Sequence, residues 1–142
     1  MPKKSVLILC TGNSARSQMA EGLLRHLAGS RFEVFSAGTK PSTVRPEAIA
    51  AMQELGINIS GQRSKSVDEF LAHPFDYVIT VCDNAKETCP VFPAAAKRLH
   101  WPFTDPPGPE SAEPERMAAF RQVRDQMKAR FTAELENGVF SS

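Results

Sequence analysis

The sequence predicts an α/β domain built on a parallel sheet covered on both faces. Short aliphatic and β-branched runs alternate with stretches whose apolar residues recur at helical spacing. The 142 residues contain no repeat, no low-complexity tract and no linker long enough to separate domains, so residues 1–142 form one domain. Three reactive side chains, Cys10, Cys82 and Asp105, each follow a predicted strand. In open parallel sheets, sites form outside the carboxyl ends of the strands, so the topology alone gathers these three at one edge.

The elements follow in the order β-α-β-α-(α)-β-β-α. Ser5 to Leu9 is a β-branched and aliphatic run suited to a buried strand, and it delivers Cys10. A helix follows the polar residues Thr11-Gly12-Asn13, with Met19, Ala20, Leu23, Leu24 and Leu27 on one face and Gly29 as its stop. Phe32 to Ala37 alternates like a strand and ends at Gly38. Pro46 suits the first position of a second helix bearing Ile49, Met52 and Leu55, with Gly56 as terminator. Ser66-Val67-Asp68-Glu69 has the form of a capping box before a short helix closed by Pro74. Tyr77 to Val81 is a strand that delivers Cys82. The polar, proline-bearing stretch 83–93 reads as loop with one helical turn at most. Arg98 to Trp101 is a weaker strand that delivers Asp105, and 106–114 is proline-rich loop. The last helix runs from about Pro114 to Leu135, with Met117, Phe120, Val123, Met127 and Phe131 aligned.

Composition bounds the function. A net charge of +1 gives no field for a nucleic acid or an anionic membrane, so any anion site must be built locally. No apolar run approaches membrane-spanning length and no signal-peptide pattern follows Lys3 and Lys4, so a cytoplasmic protein is expected. In that compartment its three cysteines rest as thiols, and an odd count fits poorly with a structural disulfide framework. His26, His73 and His100 are scattered and join no cysteine cluster, so no metal site is expected. Taken singly, each cysteine reads as a small buried hydrophobe.

The neighbours of Cys10 change that reading. Cys10-Thr11-Gly12-Asn13-Ser14-Ala15-Arg16-Ser17 is a cysteine, five residues, an arginine and a serine, joining a strand to a helix. Unpaired amides at a helix N-terminus point outward, and the dipole there favours negative charge. A loop curled around that end cradles a tetrahedral anion. Gly12 and Asn13 tolerate the unusual dihedrals such a loop needs. Arg16 offers a planar fork for two oxygens of the anion. Cys10 lies in the same positive field, which favours the thiolate, and Ser17 or Thr11 is placed to donate to its sulfur.

The segment Val6 to Glu21 resembles the active-site loop of low-molecular-weight protein tyrosine phosphatases and of the arsenate reductases that share their fold. The similarity extends over the chain, through Ser36-Ala37-Gly38, Val81-Cys82 and Asp105-Pro106. It implies a three-layer fold with a four-stranded parallel sheet flanked by helices, and an Asp-Pro acid at Asp105. Phosphatases grip a phenol ring with aromatics beside that acid. Here Pro106-Pro107-Gly108 follow it, while Trp101 and Phe103 are expected simply to pack. The second discriminator is Thr80 to Pro90, which resembles the redox loop of thioredoxin-coupled arsenate reductases, with six residues between Cys82 and Cys89.

That resemblance implies reduction of arsenate to arsenite, a detoxifying reaction. Cys10 is the nucleophile, Arg16 and the loop Thr11 to Ser17 hold the oxyanion, and Asp105 is the acid. A Cys10–Cys82 disulfide forms and passes to Cys82–Cys89, which thioredoxin resets; glutaredoxin with glutathione is the less favoured reductant. No organic cofactor is needed, and a monomer is expected. Two alternatives are a tyrosine phosphatase and a non-catalytic oxyanion sensor reporting through disulfide formation; the sensor would not need Asp105. Some relatives bind potassium near the loop. Asn13, Glu21 and Ser36 match that region, but Arg63 and Lys65 stand where further oxygen ligands would align, so a tethered positive charge is expected there instead.

Overall fold

The fold was analysed in a computed structural model, which describes residues 3–82, 95–108 and 110–138. The chain forms β1 (Lys4–Cys10), α1 (Arg16–Ala28), β2 (Phe32–Gly38), α2 (Pro46–Gln53), a 3-10 helix (Val67–Phe70), β3 (Phe75–Thr80), β4 (Ala95–His100) and α3 (Glu113–Glu136). The four strands form one parallel sheet in the order β2-β1-β3-β4. β1 is therefore central, and its aliphatic run is buried on both faces, as a parallel sheet requires.

Strand alternation divides the core. Val6 and Ile8 join Tyr77, Ile79 and the apolar sides of α1, α2 and α3 in the larger cluster. From α3 the predicted stripe arrives nearly whole: Phe120, Val123, Met127 and Phe131 are buried, and Met117 packs at the margin. Leu7 and Leu9 face the other way, onto Ala37, Phe75 and Val78. There the described cover is the 3-10 helix, whose Val67 and Phe70 close over Phe35 and Phe75. His73 stacks on Phe75 with ring centroids 4.4 Å apart, a packing role. Among the described residues no helix is long and apolar enough to cross a membrane.

Several boundaries differ from expectation. β4 starts at Ala95, three residues earlier than the sequence suggests, because backbone pairing to β3 rather than side-chain pattern sets it. The Ser66 hydroxyl accepts from the Asp68 amide rather than from Glu69 N–H, while the Glu69 carboxylate pairs with Arg63 at 2.6 Å and also takes the Ser66 backbone N–H, the reciprocal contact of a capping box. Gly29 ends α1 in ordinary helical geometry, whereas Gly56 takes φ +75 after α2, the usual left-handed stop.

Candidate active site

The register pairs Leu9 with Thr80, so Cys10 and Cys82 leave the sheet on adjacent strands, one and two residues further on. Pairing continues past β3 through Val81 N–H to Leu9 O at 3.0 Å. The segment after β4 returns alongside, with Trp101 N–H donating to Thr80 O at 2.9 Å and Phe103 N–H to Val81 O at 3.2 Å. This brings Asp105 to the same edge. Cys10 and Cys82 are both buried thiols. Cys89 lies outside the described residues.

Between β1 and α1 the chain wraps around the Cys10 sulfur. Four successive carbonyls turn outward to donors elsewhere. Thr11 O accepts from Lys40 N–H at 2.9 Å, Gly12 O from Ser42 N–H at 3.2 Å and Ser64 Oγ at 3.0 Å, Asn13 O from Gln18 Nε2 at 3.0 Å, and Ser14 O from Arg45 N–H at 2.9 Å. With the carbonyls engaged outside, the Asn13 N–H turns to the sulfur and donates to Cys10 Sγ at 3.2 Å. No protein acceptor occupies the amides of Gly12, Ser14 or Ala15 among the described residues. Backbone amides without a protein acceptor at the start of a helix suit a negative charge.

Asn13 carries the conformational cost, with φ 47; Gly12, expected to share it, has no positive φ. The glycine that the loop requires is Gly38. A β-carbon there would lie 2.4 Å from Thr11 O and 2.9 Å from Cys10 O, so β2 can pass this close only without a side chain.

The hydrogen-bond directions follow from Asn13. Its Oδ1 accepts from Lys65 N–H at 2.8 Å, an obligatory donor, which fixes the amide orientation. Nδ2 then donates to Ser17 Oγ at 2.7 Å and Ser36 Oγ at 2.9 Å. Both hydroxyls must point their own protons elsewhere: Ser17 to Cys10 Sγ at 2.8 Å, and Ser36 to Glu21 Oε1 at 2.5 Å. Two donors thus converge on the sulfur. Thr11 does not share this role; its Oγ1 is buried without a hydrogen-bond partner among the described residues.

Arg16 is 3% exposed, and its Nε lies 3.4 Å from Asp105 Oδ1. Its Nη1 donates to Phe103 O at 3.3 Å, so the backbone after β4 anchors the guanidinium beside Asp105. Asp105 is 60% exposed and open to solvent. Trp101 and Phe103 pack on Phe131, as expected.

Behind the loop, Glu21 is 5% exposed and doubly compensated. Arg25 Nη2 donates to it at 2.6 Å, and Lys65 Nζ lies 3.8 Å from Oε1. Burial pushes the Lys65 ammonium below its ordinary value, and the Glu21 carboxylate opposes that push. Lys65 rather than Arg63 takes this place; the Arg63 guanidinium is exposed beside Glu69. These residues do not suit a bound alkali cation, because a tethered one already stands against the carboxylate. Among the described residues no group of three or more His, Cys, Asp or Glu could hold a metal ion.

Sequence reasoning missed Gln18, Ser64 and Arg45. Gln18 is fully buried and ties Asn13 to Arg63 O and, through Oε1, to Gln62. A glutamine in the first turn of a helix that follows an anion loop was the one available signal. Ser64 and Arg45 sit in loops whose path no local pattern reveals.

Comparison with known proteins matches residues 5–137 to the low molecular weight phosphotyrosine protein phosphatase family. An arsenate reductase of Halalkalibacterium halodurans is 44% identical over 138 residues, covering 97% of this chain and 99% of that protein. Among solved structures, an arsenate reductase in the phosphate binding state superposes with TM-score 0.78 at 36% identity, covering 94% of this chain and 98% of the other. A thioredoxin-dependent arsenate reductase of Corynebacterium glutamicum gives TM-score 0.74 at 29% identity, covering 99% of this chain and 64% of that one. On its sequence and its fold, this chain belongs to the low molecular weight phosphotyrosine protein phosphatase family and stands with that family's arsenate reductases.

Proposed function

We propose that the protein reduces arsenate to arsenite with Cys10 as nucleophile and a disulfide relay through Cys82 and Cys89. The observation that carries this reading is the buried Cys10 sulfur with Ser17 and Asn13 donating to it, at the start of α1 and at the sheet edge where Arg16 meets Asp105. The loop amides and Arg16 hold the arsenate. The Cys10 thiolate forms a sulfur–arsenic bond, and one hydroxyl leaves as water with a proton from the Asp105 carboxyl. The Cys82 thiolate attacks Cys10 Sγ. The sulfur–arsenic bond breaks with its electron pair passing to arsenic, which leaves as arsenite, and the two sulfurs, oxidised together by two electrons, form Cys10–Cys82. Cys89 then attacks Cys82 and expels the Cys10 thiolate, and an external dithiol reduces Cys82–Cys89.

Adjacent strands lie about 4.8 Å apart, a spacing of the order a disulfide spans, which supports the first exchange. Among the described residues no aromatic clamp stands beside Asp105, which supports a small oxyanion over a phenyl phosphate. We assign thioredoxin as the reductant, in a single chain acting in the cytoplasm, where cysteines rest as thiols. The test is arsenite production by the purified protein with thioredoxin and thioredoxin reductase supplied alone, or glutathione and glutaredoxin supplied alone. The proposal expects turnover with thioredoxin. Turnover only with the glutathione system would reassign the reductant, and no arsenite with either would remove the activity.

A further inference from the structure

We propose that Arg45 is a positioning residue for the acid step, fixing the distance between the Asp105 loop and the loop that holds the oxyanion. The inference rests on the reading of Asp105 as proton donor. Asp105 is exposed, and the chain beyond it is Pro106-Pro107, which has no backbone N–H. Residues 106 and 107 can therefore be tethered by backbone only through their carbonyls. Arg45 Nη1 donates to Pro107 O at 2.8 Å. The same residue's backbone N–H donates to Ser14 O at 2.9 Å. One residue thus bridges the two halves of the site, from a place remote from both in sequence.

Its side chain is held at further points. The guanidinium lies 4.7 Å from the Phe120 ring centroid and 3.2 Å from Glu47 Oε2. Glu47 is held by Arg116 at 2.9 Å, and Arg116 in turn donates to Ser111 O, so the brace continues past the acid loop into α3. Arg45 also occupies the N-cap of α2 and makes no side-chain cap there. Serine, threonine, aspartate or asparagine would serve the helix better at that position. A residue that forgoes a local stabilisation while its backbone holds one half of a site and its side chain the other marks a functional constraint rather than a helical one.

The design gives the two contacts different sensitivities. The bond to Ser14 O comes from the backbone and survives any change of the Arg45 side chain other than to proline. The bond to Pro107 O does not. A side-chain variant should therefore loosen the acid and leave the oxyanion loop intact. The experiment measures the single-turnover rate of arsenite release from pre-reduced protein, and its half-saturating arsenate concentration. It compares wild type, Arg45→Met, Asp105→Asn and the double variant, with melting temperature as the folding control. Met keeps an unbranched stem over Phe120 and removes the donors.

General acid catalysis contributes about 10²–10⁴-fold, so a misplaced acid should slow the saturated rate of Arg45→Met by about tenfold. The half-saturating arsenate concentration should stay within about twofold, and the double variant should be no slower than Asp105→Asn alone. Arg45→Lys keeps the charge beside Glu47 and one donor, and should recover a share of the rate. If Arg45→Met does not fold, Arg45→Lys is compared in the same two backgrounds, where its smaller loss must again vanish with Asp105→Asn. An undiminished saturated rate in the folded variants, an equal loss in both backgrounds, or a change confined to arsenate affinity overturns the inference. Full activity of Asp105→Asn would instead overturn the acid reading itself, and with it any acid for Arg45 to position.

Discussion

Asn13 Nδ2 donates to Ser17 Oγ at 2.7 Å, and this bond sets the direction of the next one, from the Ser17 hydroxyl to Cys10 Sγ. A hydrogen bond to a charged group is worth about 1.5–3 kcal/mol. Ser17→Ala should therefore slow both arsenate reduction and alkylation of Cys10 by iodoacetamide at neutral pH, by about ten- to a hundredfold. Alkylation at the wild-type rate would show that Ser17 does not prepare the nucleophile.

Arg16 supplies a fork whose Nη1 donates to Phe103 O while Nε lies beside Asp105. A lysine ammonium is a point charge and cannot hold both directions at once. Arg16→Lys should lower arsenate turnover by about a hundredfold, the scale of losing one preorganised donor at a reacting oxyanion. Steady-state rates over a range of arsenate concentrations measure this, and activity within threefold of wild type would contradict the assigned role.

The Lys65 ammonium stands where it compensates buried Glu21. Exchanging sodium for potassium at equal ionic strength should leave the melting temperature and the catalytic efficiency essentially unchanged at neutral pH. Lys65→Asp should lose about 1 kcal/mol or more in sodium, as an added carboxylate faces Glu21, and potassium should restore some of it. A large potassium-specific stabilisation of the wild type would contradict the reading, as would a Lys65→Asp protein indistinguishable from wild type.

Much of this was legible in sequence because it is local. The run Val6 to Cys10, the loop Thr11 to Ser17 and the stripe Phe120 to Phe131 each announce their structure within one element. What was not legible depends on long-range closure. Arg63 and Lys65 look alike in sequence, yet one faces solvent with Glu69 and the other faces Glu21. Gly38 reads as a strand end, and its steric necessity arises only where β2 passes the Cys10 loop. By residue type Gly12 is as suited to a left-handed conformation as Asn13. Only Asn13 adopts it, because its side chain is bonded to Ser17, Ser36, Gln18 and Lys65.

Glu54, at the end of α2, is held below its ordinary value of 4.5, first by the hydrogen bond from Arg121 and then by that from Arg124. A carboxylate whose folded value is depressed contributes stability above its unfolded value and loses it as pH falls through the folded one. Glu54→Gln should therefore melt at a lower temperature than wild type at pH 7, with the difference closing as pH falls below 4.5. Thermal melts from neutral to acidic pH measure this gap. A gap that is constant or widens on acidification would show that the two arginines do not act through the Glu54 charge.

The relay itself is tested most directly by one turnover of Cys89→Ala. Pre-reduced protein is mixed with excess arsenate, arsenite is quantified, and the protein is mapped by mass spectrometry after alkylation of remaining thiols. The account predicts one arsenite per chain, a Cys10–Cys82 disulfide, and no second turnover with thioredoxin as sole reductant. Sustained thioredoxin-driven turnover by Cys89→Ala, or arsenite release without a Cys10–Cys82 disulfide, would contradict it.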